Sequence, residues 1–172
     1  MSKTHPQSQS AIRNLDQLDF KPWGHGEKYK ARHAQVSMGL GARKLGYGVV
    51  VLPPGKTAWP YHQHLINEEL FFILEGQGTL RLNGEEMPVR AGDFIAVPPG
   101  RQSGHQILNT SEHDLKYLAV STKEMPEVVE YPDSGKTAFV APVGEDAQGK
   151  PELLRAIYTQ DTPQAGYWDG ED

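Results

Sequence analysis

Pro60-Tyr61-His62-Gln63-His64-Leu65-Ile66-Asn67-Glu68-Glu69-Leu70-Phe71-Phe72-Ile73-Leu74-Glu75-Gly76 is the stretch on which the fold turns. In an extended chain alternate side chains share a face, so His62 and His64 project together into whatever that strand faces. Glu69 heads an apolar run over residues 70–74, where a carboxylate is expensive to bury without a partner. A cation is such a partner. The apolar strand that follows and Gly76 behind it favour Glu69 over Glu68 as the inward carboxylate, leaving Glu68 at the rim. A His-x-His pair alone is more often two surface or hydrogen-bonded histidines than a metal site. Glu69, and His105 at the opening of a later β-type run, shift that balance.

Outward from this segment the chain breaks into short β-type runs, each bounded by Gly, Pro, Asn or Asp. They cover residues 33–40, 45–52, 68–76, 78–83, 93–98, 104–109 and 114–122. No helical crossover separates them, which argues for an antiparallel sandwich or barrel in an all-β fold. Asn83-Gly84, between Leu82 and Glu85, supplies the positive-φ pair of a type I′ hairpin turn. Pro53-Pro54-Gly55 and Pro98-Pro99-Gly100 each close a β run and precede a histidine segment, a pseudo-repeat within one barrel. Asn109 can end its run with an Asx turn. After Thr122 the pattern weakens; residues 151–158 read as a short helix with Pro151 in its first turn.

The 172 residues include no cysteine, so a metal here must be held by imidazole, carboxylate or water. Three imidazoles and one carboxylate, His62, His64, His105 and Glu69, suit one divalent ion of zinc, iron, manganese, nickel or cobalt. With 17 Lys and Arg against 22 Asp and Glu, and no basic cluster, a nucleic-acid partner is not expected. Apolar runs are far too short to cross a bilayer and the N-terminus lacks an apolar core, so the expectation is a cytoplasmic protein with no membrane association. The sequence predicts a mobile segment over 1–13 and a barrel over 14–122. An extension over 123–172 would pack on the barrel or a partner subunit.

These residues resemble the two motifs of the cupin superfamily. The first is matched by Gly55, His62, His64, Glu69 and Gly76, the second by Gly92, Pro98, Gly100, His105 and Asn109, and the likeness covers residues 45–121. Six residues rather than five separate Gly55 from His62, and four rather than two separate Gly100 from His105. A strict count would put Ser103 at the ligand position, but two added residues preserve strand parity and a neutral hydroxyl is a poor ligand, so His105 is retained. The resemblance implies a double-stranded β-helix jelly roll, a homodimer and a metal-dependent role on a small-molecule ligand. The whole chain is similar to small bacterial cupins described as sugar-phosphate isomerases. In that reading the ion acts as a Lewis acid, Glu68 or Tyr47 moves the proton, and Arg101 and Lys123 anchor a phosphate. An Fe(II)-dependent dioxygenase and a non-catalytic carbohydrate or metabolite binder are the alternatives. His5, His25, His33 and His113 are read as solvated or capping side chains.

Overall fold

The computed structural model describes residues 11–159 and 161–171. The mobile segment expected over 1–13 therefore falls mostly outside the described residues. The strands are β1 (Lys21–His25), β2 (Tyr29–Gln35), β3 (Leu45–Leu52), β4 (Gln63–His64), β5 (Glu69–Glu75), β6 (Gln77–Leu82) and β7 (Glu85–Arg90). They continue as β8 (Phe94–Val97), β9 (His105–Leu108), β10 (Leu115–Thr122), β11 (Glu127–Tyr131), β12 (Lys136–Glu145) and β13 (Pro151–Thr159). Helix is confined, among the described residues, to single 3-10 turns at Leu15–Gln17, Met38–Leu40 and Pro132–Ser134.

Three antiparallel sheets form, in the orders β1-β2-β3-β10-β5-β8, β7-β6-β9 and β13-β12-β11-β4. Two-residue periodicity decides which side chains line the interior. On β5, Phe71 and Ile73 point inward with Glu69 on the same column, and on β9 Ile107 shares a face with His105. Leu52, Ile73, Leu115 and Tyr117 are almost wholly enclosed. Burying an aliphatic side chain of this size contributes roughly 1.5–3 kcal/mol before entropy is counted. The hairpin between β6 and β7 turns at Asn83 (φ 53°) and Gly84 (φ 86°), as the Asn-Gly pair requires. Asn109 accepts from the Ser111 amide at 3.0 Å, closing the Asx turn after β9.

Two expectations are corrected. Residues 151–158 form strand β13, not a helix, because β12 offers a ladder that pairs from Glu145↔Pro151 to Lys136↔Thr159. Pro151 fits the first residue of an edge strand as well as a helix start, and cross-strand pairing outweighs local propensity. The β-type run at 33–40 ends early: after Gln35 the chain turns through Met38–Leu40 and leaves by Gly41 in the left-handed region (φ 74°).

Candidate metal centre

The backbone draws His62 and His105 together. The His62 amide donates to the His105 carbonyl at 3.2 Å and the His105 amide to the His62 carbonyl at 2.8 Å. Their ring centroids stand 4.5 Å apart. Glu69 enters from β5, and ligand atoms of His62, Glu69 and His105 all lie within 4.8 Å of one another. His64, on β4, stands one step outside that trio. Its Nε2 is 3.6 Å from Glu69 Oε2, and its ring centroid is 5.1 Å from that of His62.

The rings of His62 and His105 are oriented from behind. His62 Nδ1 lies 2.8 Å from the Pro60 carbonyl oxygen and His105 Nδ1 lies 2.9 Å from that of Ser103. A carbonyl only accepts, so each Nδ1 carries a proton, and in the neutral ring Nε2 keeps its lone pair. The inserted residues before His105 are absorbed locally. The Ser103 hydroxyl donates back to the Gly100 carbonyl, and Gly104 lies so close to the Tyr61 ring that a Cβ there would sit 2.4 Å from its hydroxyl oxygen.

Protonation follows from burial. Burial, reinforced by the neighbouring His105 ring, pushes the His62 imidazole down to about 4, so it is neutral near pH 7. Burial pushes the Glu69 carboxyl up. The close approach of His105, and the attraction of the His64, His105 and His62 rings in their protonated forms, outweigh this, holding it below the ordinary carboxylate range. The Tyr117 phenol, wholly buried and near the Glu69 charge, is driven upward and stays neutral.

The donor set fits a divalent ion. Glu69 Oε2 and His105 Nε2 lie 2.9 Å apart, yet both are buried without an aligned hydrogen-bond partner. An orphaned buried polar atom costs about 1–3 kcal/mol. Two such atoms side by side, one anionic and one with a free lone pair, are what a cation between them would satisfy.

The cluster opens onto a cavity of about 360 Å³ with a largely apolar wall that includes Trp59, Phe71 and Ile107. Tyr47 lines it, as does His33, which packs edge-on against both Trp23 and Trp59. Glu68 is exposed and outside the lining; its backbone amide donates to the Thr122 hydroxyl at 3.0 Å. Arg101 is exposed and ion-paired to Glu130 at 3.1 Å. Lys123 is exposed at the rim, its side chain beside Gly46. No Lys or Arg is among the described lining residues.

Two residues emerge only from the structure. His33, read as solvated or capping, shares a β2 face with the buried Ala31, so parity counted along that strand would have turned it inward. Glu127 lies 63 residues from His64, whose ring it contacts, and nothing in its local pattern signals that pairing.

An antiparallel jelly roll with His62, Glu69 and His105 converging inside it is the frame of a candidate metal site. The chain contains a cupin domain, with residues 48–121 matching the model of that domain. It is 39% identical over 69 residues to the oxalate-binding protein of Thermotoga maritima, a match covering 40% of this chain and 54% of that protein. An uncharacterised protein of Methanocaldococcus jannaschii is 40% identical over 89 residues, covering 52% of this chain and 66% of that one. The matches thus span between half and two thirds of these relatives. A solved structure of a sugar phosphate isomerase from a cupin superfamily of Silicibacter pomeroyi superposes with a TM-score of 0.69 at 23% identity, covering 90% of this chain and 96% of that one.

Proposed function

We propose that this protein holds one divalent metal ion through His62, His64, Glu69 and His105 and acts on a small metabolite carrying adjacent carbonyl and hydroxyl oxygens, in an aldose–ketose type of isomerisation. The observation that carries the reading is the pair of buried, unpartnered atoms, Glu69 Oε2 and His105 Nε2, at the cavity wall. When bound, the ion supplies Lewis acidity toward the metabolite's oxygens. The chain supplies the rest. Trp59, Phe71 and Ile107 exclude water, which strengthens every polar contact inside. His33, held below the ordinary imidazole range by burial, is a neutral base near pH 7 in the same wall and is the group best suited to take a proton. Tyr47 is the second candidate, ahead of the exposed Glu68.

Arg101 is engaged by Glu130 and Lys123 stands at the rim, so the wall favours an unphosphorylated sugar or hydroxy-carbonyl compound over a phosphosugar. The likeness to a sugar phosphate isomerase is one of fold and does not bear on the phosphate. The likeness to an oxalate-binding protein supports a second reading, capture of a small dicarboxylate without turnover.

Elemental analysis of the purified chain, followed by NMR of a panel of neutral and phosphorylated aldoses in deuterated buffer, tests both. Isomerisation predicts a stoichiometric metal and deuterium entering at the carbon beside the carbonyl. Metal-dependent oxalate binding with no exchange on any sugar selects the second reading. Less than a stoichiometric metal after reloading rejects both.

A further inference from the structure

We propose that Glu127, a β11 residue outside the matched cupin segment, is the positioning residue that holds His64 as a metal ligand, making the C-terminal segment a working part of the centre. The inference rests on the metal reading above and concerns how the fourth ligand is recruited.

The three histidines are supported in different ways. His62 and His105 each hold Nδ1 against a carbonyl two residues back in their own segment. His64 instead places Nδ1 3.3 Å from Glu127 Oε2. A carboxylate only accepts, so this contact selects the Nδ1–H form of the ring and leaves the Nε2 lone pair on the side of Glu69 Oε2, 3.6 Å away.

Glu127 is built to stay in place. It is 6% exposed. Its Oε1 accepts from the Val128 amide at 2.9 Å and from the Ile66 amide at 3.3 Å. Oε2 also accepts from the Asn67 side-chain amide. Asn67 is itself fixed, donating to the Glu124 carbonyl at 3.0 Å and accepting from the Thr122 hydroxyl and the Glu124 amide, each at 2.7 Å. The backbones agree with the side chains: Val129 pairs with His64, and the Leu65 amide donates to the Val128 carbonyl at 2.9 Å. A carboxylate this enclosed is costly unless its charge is used, and its donors come from the His64 ring, the loop beside it and its own strand. Carboxylates behind ligating imidazoles fix ring orientation and raise ligand basicity, and losing them typically weakens metal binding about 10–100-fold.

A residue that merely clamps the 65–67 loop would predict something different. The test uses the full chain, Zn²⁺ and Co²⁺ as probes, and wild type, E127Q, E127D, H64A and the H64A/E127Q double variant. E127Q keeps the shape and the Oε1 acceptor for the Ile66 and Val128 amides; E127D keeps the charge and withdraws it by one methylene. Competition against a chromophoric chelator should show affinity weakened about 10–100-fold in E127Q, less in E127D, and no further in the double variant than in H64A. Long-range ¹H–¹⁵N spectra of the metal-free protein should show His64 as the Nδ1–H form in wild type and as a mixture in E127Q. Wild-type metal affinity in E127Q, losses that add in the double variant, or an unchanged His64 tautomer would each overturn the proposal while leaving the metal reading intact. A wild type that takes up neither ion would remove the metal reading and this proposal with it.

Discussion

A half-buried imidazole with no charge partner among the described residues is a liability in acid, and His33 is such a group. Burial lowers its folded-state pKa below the ordinary value of about 6.5. The unfolded chain therefore binds the extra proton first, and linkage sets the sign: this contribution to stability is complete above about pH 6.5 and is lost as pH falls from there toward the folded-state pKa. Urea unfolding of H33Q should show a shallower loss of stability than wild type across that interval, with the two curves parallel above it. Equal slopes would remove His33 as the responsible group. At this scale the sequence was informative where parity and chemistry coincided. His62 alternates with His64, Glu69 heads an apolar strand, and His105 keeps the parity of its strand after two added residues, so the convergence of His62, Glu69 and His105 was legible, while His64 stands a step outside it. His33 was missed although its parity with Ala31 signalled it, and Glu127 was not legible because its role depends on the distant strand it meets.

Between one strand and the next, Asn109 carries more than its place in a turn implies. It is 1% exposed, and its side-chain amide donates to the carbonyls of Leu52 and His113, each at 2.7 Å, while its oxygen accepts from the Ser111 amide and hydroxyl. It thereby ties the end of β3 to the turn between β9 and β10. Asn109→Ala would leave the buried Leu52 carbonyl and the Ser111 amide without these partners, with an expected loss of about 1–3 kcal/mol read from denaturant midpoints. Gly76 at the turn from β5 to β6 is as constrained: φ is +82°, and a Cβ there would lie 2.4 Å from the Asp114 carbonyl oxygen. Gly76→Ala should lower the thermal midpoint, since backbone rather than a flexible side chain would have to move. The hairpin at Asn83-Gly84 was readable because its geometry is set by two adjacent residues. Strand β13 was not, because its choice between helix and strand is made by β12 through a ladder that nothing within residues 151–158 encodes.

Across the whole molecule, the barrel closes around a centre that is electrostatically incomplete by itself. The rhythm of short runs and the two motifs made the roll legible from sequence. The seating of β11 on β4 was not, since it depends on a long-range meeting of two short segments. On the proposed metal reading, this arrangement couples occupancy of the centre to global stability. An ion that binds only the folded chain stabilises it by RT ln(1 + [M]/Kd), about 2.7 kcal/mol at a hundredfold excess over Kd. For a chain of this length that corresponds to a rise of roughly 5–10 °C in the unfolding midpoint. Differential scanning calorimetry of the chelator-treated protein, before and after addition of Zn²⁺, should record it. In H62A/H105A the increment should vanish, because the ligands drawn together by the His62–His105 backbone pairing are gone while the amides that make the pairing remain. The metal-free double variant should unfold no earlier than wild type by more than the packing lost with two rings, since deleting the His105 ring also removes the orphaned Nε2 that the metal-free fold has to bury. An equal rise in wild type and double variant would place the stabilising ion somewhere other than this centre.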